Sequence, residues 1–211
     1  WMAASDVPSL GLRIREERLR RGVSLRALAR DVGVSASMIS QIETGKAQPS
    51  VGTLYAITTA LGMSIQDVFG EVPESVSGIA APVAAPATVL EALGSARGLR
   101  LGPLVRPAGR QVLRLDSGVT WERLGSLSTH AVDFLLVTYA PGGSSSSTGD
   151  LMRHSGAEYG FLLSGELVLT LGFEDILVRP GDAVSFDSTT PHRYRNDGTE
   201  PAVGVWYVIE H

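Results

Sequence analysis

"SLRALARDVGVSASMISQIETG", Ser24 to Gly45, carries two short amphipathic repeats on either side of a glycine. Ser24 is placed to cap the first, because its hydroxyl accepts from a backbone N–H left bare at a helix start. Gly33 stops that repeat and "SASMISQIE" begins the next at once. Leu25, Leu28, Ala29, Val34, Ile39 and Ile42 recur at helical spacing and predict one small core. Two short helices joined by a glycine turn predict a helix-turn-helix. Downstream, Ser50 is set to cap "VGTLYAITTAL", which Gly62 ends, and Ser64 with Asp67 makes a capping box for a last helix, "IQDVF". Residues 1–70 are therefore expected to form an all-α, helix-turn-helix DNA-binding domain.

The second helix of such a pair lies in the major groove with its first residues on base edges. Its outward positions here are Ala36, Ser37, Ser40 and Gln41. Gln41 can offer two bonds to adenine and Ala36 can touch a thymine methyl. Arg26, Ser35 and Lys46 are placed for phosphates, which fix position without reading sequence. Few long polar side chains occupy this face, so a homodimer on a palindromic operator is expected, with half-sites about 34 Å apart.

Charge supports the division. Eight basic residues meet six acidic ones in residues 1–70, whereas ten meet sixteen in residues 71–211. The asymmetry matters more than the total of −4. Cysteine is absent, which excludes disulfides and thiolate metal sites. No apolar run reaches the length of a membrane span and no secretion signal is evident, so a cytoplasmic location is expected.

Residues 71–98 are rich in Ala, Pro and Gly without a steady period, and read as a linker with one helical turn near Thr88–Leu93. Residues 99–211 are strand-like: "VDFLLVTYA", "GFLLSGELVLTLGF", "DAVSFD" and "AVGVWYVIE" are separated by Gly, Pro and Asp turns. That spacing suits an antiparallel sandwich or barrel. "SSSSTG" after Pro141 reads as a mobile low-complexity loop.

Within the strands, His154, Glu158 and His192 offer two imidazoles and a carboxylate, a set that suits Fe(II), Zn, Ni or Mn. If His192 points inward on its strand, Tyr194 follows, and Arg193 and Arg195 point out. Pro191 and Asn196 are expected to bracket a hairpin there. Tyr139, Met152, Phe161 and Tyr194 are expected to line a small-molecule cavity. His130 and His211 read as surface residues.

Residues 10–70 resemble the Xre/Cro/phage-repressor helix-turn-helix family, from the capping Ser24 through Leu61-Gly62. The resemblance implies that Arg18 pairs with Glu43, a structural role. Leu25 departs from the family, where many members place a Gln near the phosphates. Residues 103–210 resemble a small cupin, a jelly-roll barrel. Its first motif, His-x-His, then Glu, then Gly, reads here Met152-Arg153-His154, Glu158, Gly165; its second reads Gly181, Pro191-His192 and Asn196. "VRPGDAVSF" stands at another of its conserved runs. Met152 replaces the first ligand, and a thioether suits hard divalent ions poorly. The resemblance therefore implies a three-ligand site, His154, Glu158 and His192, holding a divalent metal, or an apolar pocket without one.

Together the halves resemble bacterial one-component regulators, whose effector domain biases DNA affinity. This implies a transcriptional regulator that binds duplex DNA and a small-molecule effector and does no catalysis. Two alternatives stay open. Hydroxypropylphosphonate epoxidase resembles the same layout, which would make the site a non-haem iron oxidase centre. The barrel could instead serve only as a dimerisation platform.

Overall fold

The computed structural model describes residues 9–69, 104–125 and 132–209. The expected linker at 71–98, its turn near Thr88–Leu93, His130 and His211 lie outside these.

The head contains α1 (Leu10–Arg20), α2 (Leu25–Val32), α3 (Ala36–Glu43), α4 (Val51–Leu61) and α5 (Ile65–Phe69). Each of the first four begins on a serine whose hydroxyl accepts from the backbone N–H three residues on: Ser9, Ser24, Ser35 and Ser50. Gly33 closes α2 in the left-handed region, at φ 79°. Ser64 and Asp67 exchange the two bonds of the expected capping box, at 2.8 and 3.2 Å. Leu28, Ala29, Ile39 and Ile42 are buried, and Leu25 and Val34 pack against them. At Gly11, α1 passes so near α3 that a Cβ would sit 2.2 Å from the Ile42 carbonyl oxygen. The helix pair can cross there only because the side chain is missing.

Among the described residues nine strands follow: β1 (Val112–Leu115), β2 (Val119–Gly125), β3 (Val132–Tyr139), β4 (Ala157–Ser164), β5 (Leu167–Leu171), β6 (Glu174–Val178), β7 (Ala183–Asp187), β8 (His192–Arg195) and β9 (Ala202–Ile209). They form two antiparallel sheets, ordered β1-β2-β3-β9-β4-β7 and β6-β5-β8. Side chains alternate in and out along the central strands, as a half-buried strand requires. Leu135, Val137 and Tyr139 point inward from β3, Trp206 and Val208 from β9, and Glu158 and Leu162 from β4.

Two expectations are corrected. Pro191 and Asn196 do not bracket a hairpin, because the strand between them, β8, pairs with β5 across the sequence. The serine run is not a free loop. Ser145 is buried, its N–H donates to the Tyr194 carbonyl, and its Oγ accepts from the Tyr194 N–H. Backbone groups that leave water need such partners, and β8 supplies them.

The head is seated on the barrel. The Gly52 N–H donates to the Ser145 carbonyl at 3.0 Å, and the Asp116 N–H to the Pro49 carbonyl at 2.9 Å. Gln66 Nε2 donates to the Val132 carbonyl and Gln111 Nε2 to the Phe69 carbonyl. Arg123 reaches over the Phe69 ring, 5.6 Å from its centre. The apolar core runs from one domain into the other without a break.

Candidate functional site

β4 opens just after His154 and presents Glu158 inward; β8 opens on His192. A backbone bridge joins Met152 to His192, which brings the two histidine segments side by side. His154, Glu158 and His192 then converge, with one donor atom from each lying within 4.8 Å of the others. All three are buried, so neither charge nor ring faces bulk water. The expectation that His192 and Tyr194 point inward holds, and Arg193 and Arg195 are partly exposed.

Second contacts aim the ligand atoms. His154 Nδ1 lies 3.1 Å from the Ser155 carbonyl oxygen, and His192 Nδ1 lies 2.8 Å from that of Thr190. A carbonyl only accepts, so each Nδ1 carries the proton and each Nε2 is left to face Glu158. His154 Nε2 is 2.8 Å from Glu158 Oε1 and His192 Nε2 is 3.0 Å from the same oxygen. Tyr194 donates to Glu158 Oε2 at 3.3 Å and itself accepts from Trp206 Nε1 at 3.2 Å.

The electrostatics are those of a ligand set. Burial alone would push the Glu158 carboxyl up, but the two imidazoles against it bring it down. Burial opposes charge on His192, yet the adjoining carboxylate leaves its pKa raised. Burial, with the Glu158 charge adding to it, raises Tyr139 and Tyr194, so both phenols keep their protons. His192 Nε2 is close to Glu158 Oε1 but out of line for a hydrogen bond, and is left a buried nitrogen without a hydrogen-bond partner. An imidazole nitrogen and a carboxylate oxygen this close are bridged either by a proton or by a metal ion. The donor set therefore fits a divalent metal.

Around the cluster lies a chamber lined by Val51, Tyr55, Trp121, Leu135, Val137, Tyr139, Met152, Glu158, Tyr194, Trp206 and Val208. Of the four expected lining residues, Tyr139, Met152 and Tyr194 are there. Phe161 is not. It is 45 % exposed on the outer face, because Glu158 points inward and residues an odd number of positions along a strand point the other way. The indole of Trp206 fills space left by Gly204, where a Cβ would come within 2.4 Å of the ring. Val51 and Tyr55, which belong to the head, escaped the sequence reading. The signal was present: α4 has apolar residues on more than one face and no charge, the mark of a helix buried on two sides.

In the head, Ser37 and Gln41 of α3 are exposed, and Ala36 and Ser40 are partly so. Arg26 and Lys46 are also exposed. The Ser35 hydroxyl accepts from the Met38 N–H at 3.1 Å, so it caps α3 whatever else it touches. Arg18 and Glu43 are paired inside the head, as the family resemblance implies.

Residues 14–68 match the helix-turn-helix family and residues 135–208 the cupin domain family, together more than half of the chain. The HTH-type transcriptional regulator PuuR of Escherichia coli (strain K12) is 27 % identical over 188 residues, which is 88 % of this chain and 86 % of that protein. The HTH-type transcriptional regulator SutR of the same organism is 41 % identical over 54 residues, 26 % of this chain and 30 % of that protein. A crystal structure of an HTH_3 family transcriptional regulator from Vibrio cholerae superimposes with a TM-score of 0.61 at 22 % identity. It covers 96 % of this chain and 95 % of its own, which shows the fold. The structure of hydroxypropylphosphonic acid epoxidase from S. wedmorenis gives a TM-score of only 0.42 at 17 % identity, over 95 % of this chain and 96 % of its own. That likeness is too loose to carry the epoxidase alternative.

Proposed function

We propose that this chain, which carries a helix-turn-helix and a cupin domain and is similar along most of its length to a transcriptional regulator, is itself such a regulator and binds a palindromic operator as a homodimer. In this reading a small-molecule effector, a divalent metal or both, held in the barrel, changes its operator affinity. The carrying observation is one molecule with an exposed polar face on α3 of its helix-turn-helix and a buried, metal-competent ligand cluster in its barrel.

Gln41, Ser37, Ser40 and Ala36 would meet base edges, and Arg26, Lys46 and Ser35 would meet phosphates. His154 Nε2, His192 Nε2 and Glu158 would hold the metal: zinc, nickel, iron or manganese. Bound, it would supply a Lewis-acid anchor for a donor atom of the effector. Tyr139, Met152 and Tyr194 would shape the effector's surroundings, Tyr194 also holding the Glu158 carboxylate in place. The two sites would be linked by about 1–3 kcal/mol, the ordinary size of such coupling.

A two-fold dimer has a surface to use. Phe134, Tyr159, Phe161 and Tyr207 are exposed side by side on the outer face of the larger sheet. Tyr207 touches both Phe134 and Tyr159 edge-on, with ring centres 6.4 Å apart in each pair. A self-complementary aromatic patch suits a second copy of the same chain. In the cytoplasm, where an operator is found, this pairing would set the spacing of the two recognition helices.

The test is a salt titration on promoter DNA, with and without added Zn²⁺. A regulator binds one palindromic fragment far above bulk DNA, with a steep negative dependence on salt. Equal affinity for every fragment defeats the reading.

A further inference from the structure

α4 faces two ways. Leu54, Ile57 and Leu61 enter the head's own core, whereas Val51 and Tyr55, one turn apart, enter the barrel chamber. The Tyr55 ring lies flat on the His154 imidazole, with centres 4.0 Å apart and planes 2° from parallel. It also meets the Trp121 indole edge-on at 6.0 Å. Tyr55 is 4 % exposed, and its ring covers one face of a residue in the metal-competent cluster.

With α4 seated, the chamber keeps about 20 Å³ free, which is room for one water. Small-molecule sites are typically about 300–1,000 Å³. Any guest larger than water must displace a wall. The strand walls are bound through continuous backbone ladders: β3 pairs with β9 from Val132↔Ile209 to Tyr139↔Ala202, and β4 pairs with both β9 and β7. The helical wall is bound differently. Among the described residues, its backbone bonds to the barrel are those of Gly52 to Ser145 and Asp116 to Pro49, and the other links are side-chain contacts such as those of Gln66, Gln111 and Arg123.

We propose that α4 is the removable wall of the effector chamber and Tyr55 its plug, so that an occupied chamber and a seated head exclude one another. This rests on the reading of the barrel as a ligand-binding domain and gives the coupling its sign and its route. A guest releases the head from the barrel, and release frees the recognition helices from their fixed spacing. The route is direct contact between the domains and does not require the segment at 71–98 to transmit force. The guest it fits is a small, mostly apolar molecule that takes the place of the phenol ring. One polar group on it would meet His154, Glu158 or a metal between them.

The chain has no cysteine, so a lock can be introduced cleanly. A Cβ built at Gly52 lies 3.5 Å from Met152 Cβ, within the span of a disulfide. Full-length Gly52→Cys/Met152→Cys protein is made with Trp1→Phe, so that only Trp121 and Trp206, both in the chamber wall, fluoresce. The readouts are acrylamide quenching and the rate of Zn²⁺ uptake against a chromophoric chelator. Oxidation should reduce quenching and slow uptake by roughly tenfold or more, since entry scales with the open fraction; reduction should restore both. In the Trp1→Phe background, Tyr55→Ala should quench more than its parent and Tyr55→Phe should match the parent. Equal quenching in the oxidised and reduced forms overturns the proposal, whatever zinc does. If quenching responds to the lock while neither form takes up zinc, the removable wall stands and the metal part of the functional reading fails.

Discussion

Arg18 and Glu43 face each other through two parallel contacts, Nε to Oε1 at 2.5 Å and Nη2 to Oε2 at 2.8 Å, with both side chains buried. The pair ties α1 to the end of α3, and Arg18 Nη1 also donates to the Val23 carbonyl. Removing one partner leaves an uncompensated charge in the core, which costs about 3–5 kcal/mol. Arg18→Ala and Glu43→Ala should each destabilise the head by that order in urea melts. Replacing both with apolar residues of similar volume should cost less than either single change. A single variant as stable as wild type would show that the pair is not buried in solution.

Gln41 is exposed on α3 and carries both a donor and an acceptor. Gln41→Ala should weaken operator binding by about 1–3 kcal/mol and relax the sequence preference at one position of each half-site. Lys46→Ala should weaken all DNA alike and flatten the salt dependence. Competition binding against random DNA separates the two. Equal loss on operator and random DNA in Gln41→Ala would remove it from the reading face.

At the metal-competent cluster, His154→Ala combined with His192→Ala should abolish divalent-ion binding. The barrel should stay folded, because its ladders do not pass through these side chains. Elemental analysis and far-ultraviolet circular dichroism give the two readouts. Saturating zinc at roughly a hundred times its Kd should stabilise wild type by about 2.7 kcal/mol through mass action and leave the double variant unmoved. Unchanged metal content in the double variant would place any ion elsewhere.

Glu17 gathers both neighbouring guanidiniums. Arg20 donates to it through Nε and Nη2 and Arg21 through Nε, and Arg21 Nη2 reaches on to the Gly62 carbonyl that ends α4. Its hydrogen bonds, first from Arg20 and then from Arg21, hold the Glu17 carboxyl at about 2 instead of 4.5. A depressed carboxyl stabilises the fold above its unfolded pKa and loses that contribution as pH falls through the folded one. The melting-temperature gap between wild type and Glu17→Gln should therefore be full above about pH 5 and close toward about pH 2. A gap constant across that range would mean that Glu17 acts through packing alone.

The parts of this fold that a reader could see in the chain are those that rest on local chemistry. The serine caps, the glycine stops and the Ser64–Asp67 box sit within a few residues of what they bind, and the structure keeps them all. His154, Glu158 and His192 were legible by type as a candidate donor set, and β4, β8 and the Met152–His192 bridge bring them together. What lay hidden depends on remote partners. Ser145 looks like part of a loose loop until Tyr194, far along the chain, takes up its backbone and hydroxyl. β1 and β2 are hard to single out in the sequence because Arg114, Glu122 and Arg123 interrupt their apolar pattern. Arg123 nevertheless goes inside, where burial lowers its pKa and Asp133 and Asp67 partly oppose the fall. Phe161 shows the reverse error. Its type suggested a lining residue, yet strand parity from Glu158 sends it outward.

That outward face carries the last prediction. Tyr159 and Tyr207 are register partners across β4 and β9, as are Phe161 and Val205, so the four side chains form one continuous patch. Each ring left in water loses the gain from apolar burial, about 25 cal/mol per Å² of surface. A two-fold contact repeats every such gain on both copies. Phe161→Asp with Tyr207→Asp places four like charges in that contact and should give a folded monomer by sedimentation. Operator binding should fall steeply with it, since one recognition helix with few long polar side chains discriminates poorly, while binding to random DNA changes little. A double variant that still sediments as wild type would assign the patch to some other partner.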